Sequence, residues 1–231
     1  MMNPQLDALD ELARRLLPAL QRTGLTGREP IGKEGNTAPV AALMAQLQQA
    51  NPEAGRAYWL TRGWSLLTWQ PLYLAILAVH GLGRVPPLAN LLQYQQEGMV
   101  AGYWLSGEME AEPNLVRRIE RAAAGLRPLL ATLAALMAEA PRPRLRAELL
   151  ADDLLVALER LAPHLPELAA HPLPFLARRW LAALELPTPP RLPGEDPRYL
   201  RQRCCLHYKR GDGVLCDNCP RRQQALAQRV A

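Results

Sequence analysis

Four cysteines crowd into sixteen residues near the end of a 231-residue chain. Cys204 and Cys205 are adjacent, ten residues follow, and Cys216 and Cys219 close the group with two residues between them. No cysteine precedes them, so the cluster is a built feature and its chemistry is that of thiolates: disulfide, redox or metal. Disulfides fit poorly. Adjacent Cα atoms stand ~3.8 Å apart across a trans peptide, inside the ~4.4 Å lower limit for a bridge. A Cys216-Cys219 redox pair would leave the vicinal pair without a role and lacks a βαβ context. Four thiolates would suit structural zinc, but zinc modules present two pairs, each with two to four residues between ligands. Here one half is vicinal, and its side chains diverge in extended backbone. Two irons spread their ligands over a wider object and accept such a pair with less strain. Spacing thus favours an iron-sulfur site and leaves zinc open.

Charge is distributed around the same residues. The chain carries a net +5. Residues 198–222 hold seven Arg or Lys (Arg198, Arg201, Arg203, Lys209, Arg210, Arg221, Arg222) against Asp212 and Asp217, and Arg229 adds one more. The first 197 residues are therefore almost neutral. A concentrated positive field stabilises an anionic cluster, the more so after it gains an electron, and steers an acidic partner. Only Tyr199 and Tyr208 interleave with these charges, which argues against a nucleic-acid surface.

The cysteine spacing resembles the C-terminal signature of the FhuF family of ferric-siderophore reductases. That resemblance implies a 2Fe-2S cluster held by Cys204, Cys205, Cys216 and Cys219. It also implies one-electron reduction of siderophore-bound Fe(III), often a hydroxamate chelate, in the cytoplasm or peripherally at the inner membrane. A ferredoxin or flavoreductase would supply the electron. Tyr58-Trp59 and Arg62-Gly63-Trp64 resemble that family's helical domain, and Trp59, Arg62 and Trp64 are the candidate substrate contacts. The alternatives are a zinc-stapled helical binding module, or a 2Fe-2S carrier or sensor without a siderophore site.

The elements that must position this tail read as mainly α, a multi-helix domain with a small β-hairpin or sheet followed by the cysteine-rich tail. Hydrophobic residues make up 49% of the chain but include a single Phe, which suits aliphatic helix faces. Three divisions follow: N-terminal helices in 1–50, a helical body in 51–190 with a hairpin near 90–105, and the cluster-binding region 198–222. Leucine spacing predicts a helix over 4–22, and Thr37 caps a second that ends near Asn51. Helical pattern runs from Glu53 to Trp69, and Pro71 restarts a short helix that stops at Gly81. Alternation around Gln96-Glu97-Gly98 predicts the hairpin. Further helices cover Leu115–Met137, kinked at Pro128, then Leu145–Leu161 and Pro172–Leu186. Pro187 to Pro197 reads as a stiff spacer. Trp59, Trp64 and Trp69 recur every five residues, ~140° per step around a helix, so they form no single stripe. His207 lies inside the cysteine loop and could replace a thiolate, but with four cysteines available it reads as a residue behind the ligands or as exposed, while His80, His164 and His171 read as helix-end residues. Asp152 and Asp153 read as exposed. The N-terminus lacks a secretory signal, and the longest apolar stretch is too short to cross a bilayer.

Overall fold

A computed structural model describes residues 3–24, 27, 29–194 and 199–222. Pro197, Arg198 and Arg229 lie outside the described residues. In chain order the elements are α1 (Pro4–Leu16), α2 (Ala38–Ala50), α3 (Gly55–Gly81), β1 (Arg84–Val85), β2 (Leu92–Gln96), β3 (Met99–Trp104) and β4 (Glu110–Ala111). Then follow α4 (Leu115–Leu136), α5 (Pro143–Leu161), the single turn α6 (Pro166–Ala169) and α7 (Leu173–Ala183). The protein is mainly helical with two small antiparallel sheets, β1 with β4 and β2 with β3.

The central element is α3, packed on α1, α2, α4, α5 and β3. It is buried almost all round from Leu66 to His80, as a helix enclosed by others must be. It runs unbroken through Pro71, where the sequence pattern predicts a restart. Proline has no N–H for the Leu67 carbonyl, and in a buried helix that carbonyl would be orphaned. The side chain of Gln93 on β2 supplies the missing donor, its Nε2 2.9 Å from the Leu67 oxygen. Gln70 then donates to Gln93 Oε1 and to the Gly102 carbonyl, so two buried amides fasten the hairpin to the helix at its weakest turn.

Two other boundaries differ from the pattern. Helix α1 stops at Leu16 because Leu17 precedes Pro18, whose ring disfavours helical backbone in the residue before it. Thr37 stands at the start of α2 without a side-chain cap, since Pro39 two residues on offers no N–H to accept. The hairpin turns at Glu97 and Gly98, both in the left-handed region (φ 46° and 77°), the backbone that a two-residue hairpin loop requires. After α7 the described part of the Pro-rich segment, residues 187–194, has Leu192 buried in the core. Among the described residues no helix is long and apolar enough to cross a membrane.

Candidate metal centre

The tail is held to the body by carboxylates on one face of α5. Asp152 is fully buried and accepts three hydrogen bonds from the tail: the Tyr199 hydroxyl (2.7 Å) and the Gln202 N–H (2.9 Å) on Oδ1, and the Arg203 N–H (2.8 Å) on Oδ2. Burial raises its pKa, and the backbone N–H groups of Gln202 and Arg203 with the Tyr199 hydroxyl oppose that rise. Asp153 pairs with Arg201, and Glu148, one turn before Asp152, accepts from Arg203 Nε at 2.6 Å. The Arg203 hydrogen bond lowers the pKa of Glu148. A charged acceptor makes each such bond stronger than a neutral one. The chain is thus fixed through residue 203, and the vicinal cysteines begin at 204.

Beyond them Leu206 adopts left-handed backbone (φ 60°), which for a branched residue costs about 1–3 kcal/mol and turns the chain immediately after Cys205. Its N–H donates to Cys204 Sγ at 3.4 Å. The short helical turn His207–Lys209 follows, and the loop folds back so closely that a Cβ on Gly213 would lie 2.2 Å from the His207 carbonyl oxygen. Only glycine fits there. The Arg201 N–H donates to the Asn218 carbonyl (3.0 Å), and Arg222 donates to the carbonyls of Leu215 and Cys216, which brings the Cys216-Cys219 turn beside the vicinal pair.

The result is two thiol pairs. Cys204 Sγ stands 4.0 Å from Cys219 Sγ, and Cys205 Sγ stands 3.9 Å from Cys216 Sγ. Two thiolates on one tetrahedral ion, with metal–sulfur bonds of about 2.3 Å, stand ~3.8 Å apart. Each pair therefore has the bite of a single metal ion. Among the described residues no three His, Cys, Asp or Glu side chains gather around one ion position, as a closed zinc site would need. The vicinal side chains diverge to different partners, which is what adjacent residues in extended backbone do. Burial, with Cys205 beside it, pushes the Cys216 thiol up to about 12, and burial raises Cys204. The free Cys204 and Cys216 thiols hold their protons, so a metal must displace them on binding. Three buried donors of this tail, Arg201 Nε, Gln202 Nε2 and Arg210 Nε, have no acceptor among the described residues. A sulfur-rich group held by the four cysteines would bring further acceptors into this tail.

Residues 201–221 match the FhuF 2Fe-2S C-terminal domain. The tail is thus an FhuF-type 2Fe-2S segment, and its donor set of four cysteines in two pairs fits that cluster. No solved structure matches the chain. The FhuF match covers the tail, and what adjoins the tail comes from this structure. A cavity of about 420 Å³ is lined by Arg62, Trp69, Tyr73, Met99, Asp153, Arg160 and Arg201 among others, and by none of the four cysteines. Arg62 and Arg201, which line this cavity, both interact electrostatically with Cys205, and Arg201 lies three residues before Cys204 in the chain.

Of the three candidate substrate contacts, Arg62 lines this cavity, and its pKa is lowered by burial. Among the described residues no carboxylate forms an ion pair with it. Trp59 lines a separate, smaller cavity, and its indole N–H is bonded to the Asn51 carbonyl. Trp64 is buried, donates to the Arg146 carbonyl and lies under the Arg146 guanidinium. Trp69 does reach the cavity, with its N–H on the Val100 carbonyl and its ring edge-on to Tyr73. His207 packs against the Tyr58 ring and receives a hydrogen bond from Arg210, and burial followed by the Arg210 charge lowers its pKa. His80 is buried in the body, accepts from Trp180 (2.9 Å), and has its pKa lowered to about 3 by burial, Arg118 and His171. Asp152, Asp153, Glu148 and Tyr199 carry the docking, and residue types gave no hint of them. The signal available was charge: acids spaced along α5 opposite a tail of alternating arginines.

Proposed function

We propose that the protein is a ferric-siderophore reductase of the cytoplasm, a reading supported by a 2Fe-2S tail on a body that carries an open cavity. The observation that carries this reading is that Arg62 and Arg201, which line the cavity, also act electrostatically on Cys205. When bound, a 2Fe-2S cluster supplies one-electron transfer, taking an electron from a reduced donor and passing it to ferric iron, which becomes ferrous. The protein's own residues bind and orient. Arg62 and Arg160 present guanidinium donors to the oxygen atoms of a chelate, and Trp69 and Tyr73 offer an apolar aromatic wall. No proton transfer is required of any side chain. Ferrous iron leaves because hard oxygen donors hold it far less strongly. The basic tail faces the donor, which on charge grounds is an acidic ferredoxin or a flavoprotein.

Single-turnover mixing tests this reading. Protein reduced with dithionite, freed of excess reductant and mixed without oxygen with a ferric tris-hydroxamate, is expected to regain its oxidised spectrum while a ferrous-specific dye traps one iron per chain. A reduced spectrum that persists, with no ferrous iron trapped, would leave an electron carrier and contradict a reductase.

A further inference from the structure

The cavity lies between two matched stripes. On α3, Arg62, Leu66, Trp69 and Tyr73 follow one another at steps of four, three and four residues, and on α5 Asp153, Val156 and Arg160 follow at steps of three and four, so each set occupies one face of its helix. The two helices pack together, and the Ser65 hydroxyl donates across them to Asp153 Oδ2 at 3.1 Å. Arg201 enters from the tail and pairs with Asp153 Oδ1. Three guanidiniums thus share the lining with one carboxylate. Asp153 also acts on Arg62, but both of its oxygens are already engaged, one by Arg201 and the other by Ser65. Arg62 itself donates to the uncharged Met99 sulfur at 3.4 Å, and Arg160 acts on Tyr73. Among the described residues neither arginine has a carboxylate as an ion-pair partner. They stand at opposite ends of the α3 stripe, since Arg62 begins it and Tyr73 ends it, ~16 Å further along the helix. Leu66, Trp69 and Val156 give the space between them an apolar middle.

We propose that the cavity selects its ligand by charge, and that its substrate is an anionic iron chelate bearing a free carboxylate rather than a chelate that is neutral overall. A neutral ligand leaves the excess of positive charge unanswered. A carboxylate answers it with the paired, charge-assisted hydrogen bonds that a guanidinium forms, at Arg62 or at Arg160, while the apolar body of the chelate lies against Trp69. A neutral ferric hydroxamate still enters, and binds more weakly. This inference rests on the cavity being the chelate site and adds to that reading the class of chelate.

Equilibrium dialysis tests it without turnover. Gallium(III) has the charge of ferric iron and is not reduced, and one linear trihydroxamate can end in an amine, an acetamide or a succinamic acid. Its gallium complexes are then cationic, neutral and anionic around the same metal core. With the cluster-loaded protein, the anionic complex is expected to bind at least about tenfold more tightly than the neutral one, and the cationic complex more weakly than either. Arg62→Gln and Arg160→Gln are each expected to shrink that preference, and the double variant to abolish it. Arg127→Gln, which removes one charge from an exposed ion pair with Glu185 outside the cavity, is expected to leave it as in the parent protein. The preference is a ratio taken within each variant, so a general loss of affinity does not enter. Equal binding of the three complexes by the parent protein overturns charge selection and leaves siderophore reduction standing, whereas binding of none overturns the cavity as the chelate site altogether. A preference undiminished in the double variant overturns its assignment to Arg62 and Arg160.

Discussion

Cys219→Ser is expected to strip the protein of its visible iron-sulfur absorption and of most of its iron while leaving the helices folded. Cys219 is 1% exposed and sits 4.0 Å from Cys204, so its sulfur points into the site and not at solvent. A hydroxyl is shorter, harder and far less acidic than a thiol, and a soft thiolate-preferring centre that loses one of four donors is held at least about tenfold more weakly. The helical core, from Leu6 through Leu192, is formed without any of the four cysteines. Far-ultraviolet circular dichroism of the variant should therefore match the parent protein, while bound iron and sulfide fall together. A variant that keeps its iron would remove Cys219 from the ligand set.

The second large effect is expected at Asp152, a residue that touches no ligand atom. Asp152→Ala leaves the Tyr199 hydroxyl and the Gln202 and Arg203 N–H groups without their common acceptor. Hydrogen bonds to a charged group contribute about 1.5–3 kcal/mol each, and a buried donor left unpaired costs about 1–3 kcal/mol. Three together are comparable with the whole stability of a docked segment. The tail should leave α5, cleavage between residues 187 and 203 by added protease should quicken by tenfold or more, and the cluster should be lost faster under oxygen. Asp152→Asn should behave in between, since its carbonyl can still accept from Tyr199 and Gln202 while its amide opposes the Arg203 N–H. Protease resistance and cluster lifetime equal to the parent in Asp152→Ala would show that α5 does not anchor the tail.

These two residues also mark what the sequence made legible. Cys219 belongs to a cluster whose spacing is informative in itself, because four thiols in one short segment leave few chemistries open. Asp152 is informative only once the chain has folded, since its three partners lie 47 to 51 residues downstream. The same distinction runs through the fold. Leucine spacing reveals that helices exist, and the Glu97-Gly98 turn reveals the hairpin. Pro71 misleads because its local effect, an orphaned Leu67 carbonyl, is cancelled by Gln93, 26 residues away in sequence. The leucines of α1 continue the helical rhythm past the point where Pro18 ends the helix. Trp59, Trp64 and Trp69 divide among three directions, to Asn51, Arg146 and Val100, as their five-residue step requires. Which of them meets the cavity depends on where the hairpin packs, and no periodicity encodes that.

The central claim is that Cys204, Cys205, Cys216 and Cys219 hold one binuclear iron-sulfur centre. Metal and acid-labile sulfide analysis of the full chain, purified without oxygen, tests it most directly. The expected result is a brown protein with about two irons and two sulfides per chain, both lost in Cys219→Ser; a colourless protein with one tightly held zinc would contradict it.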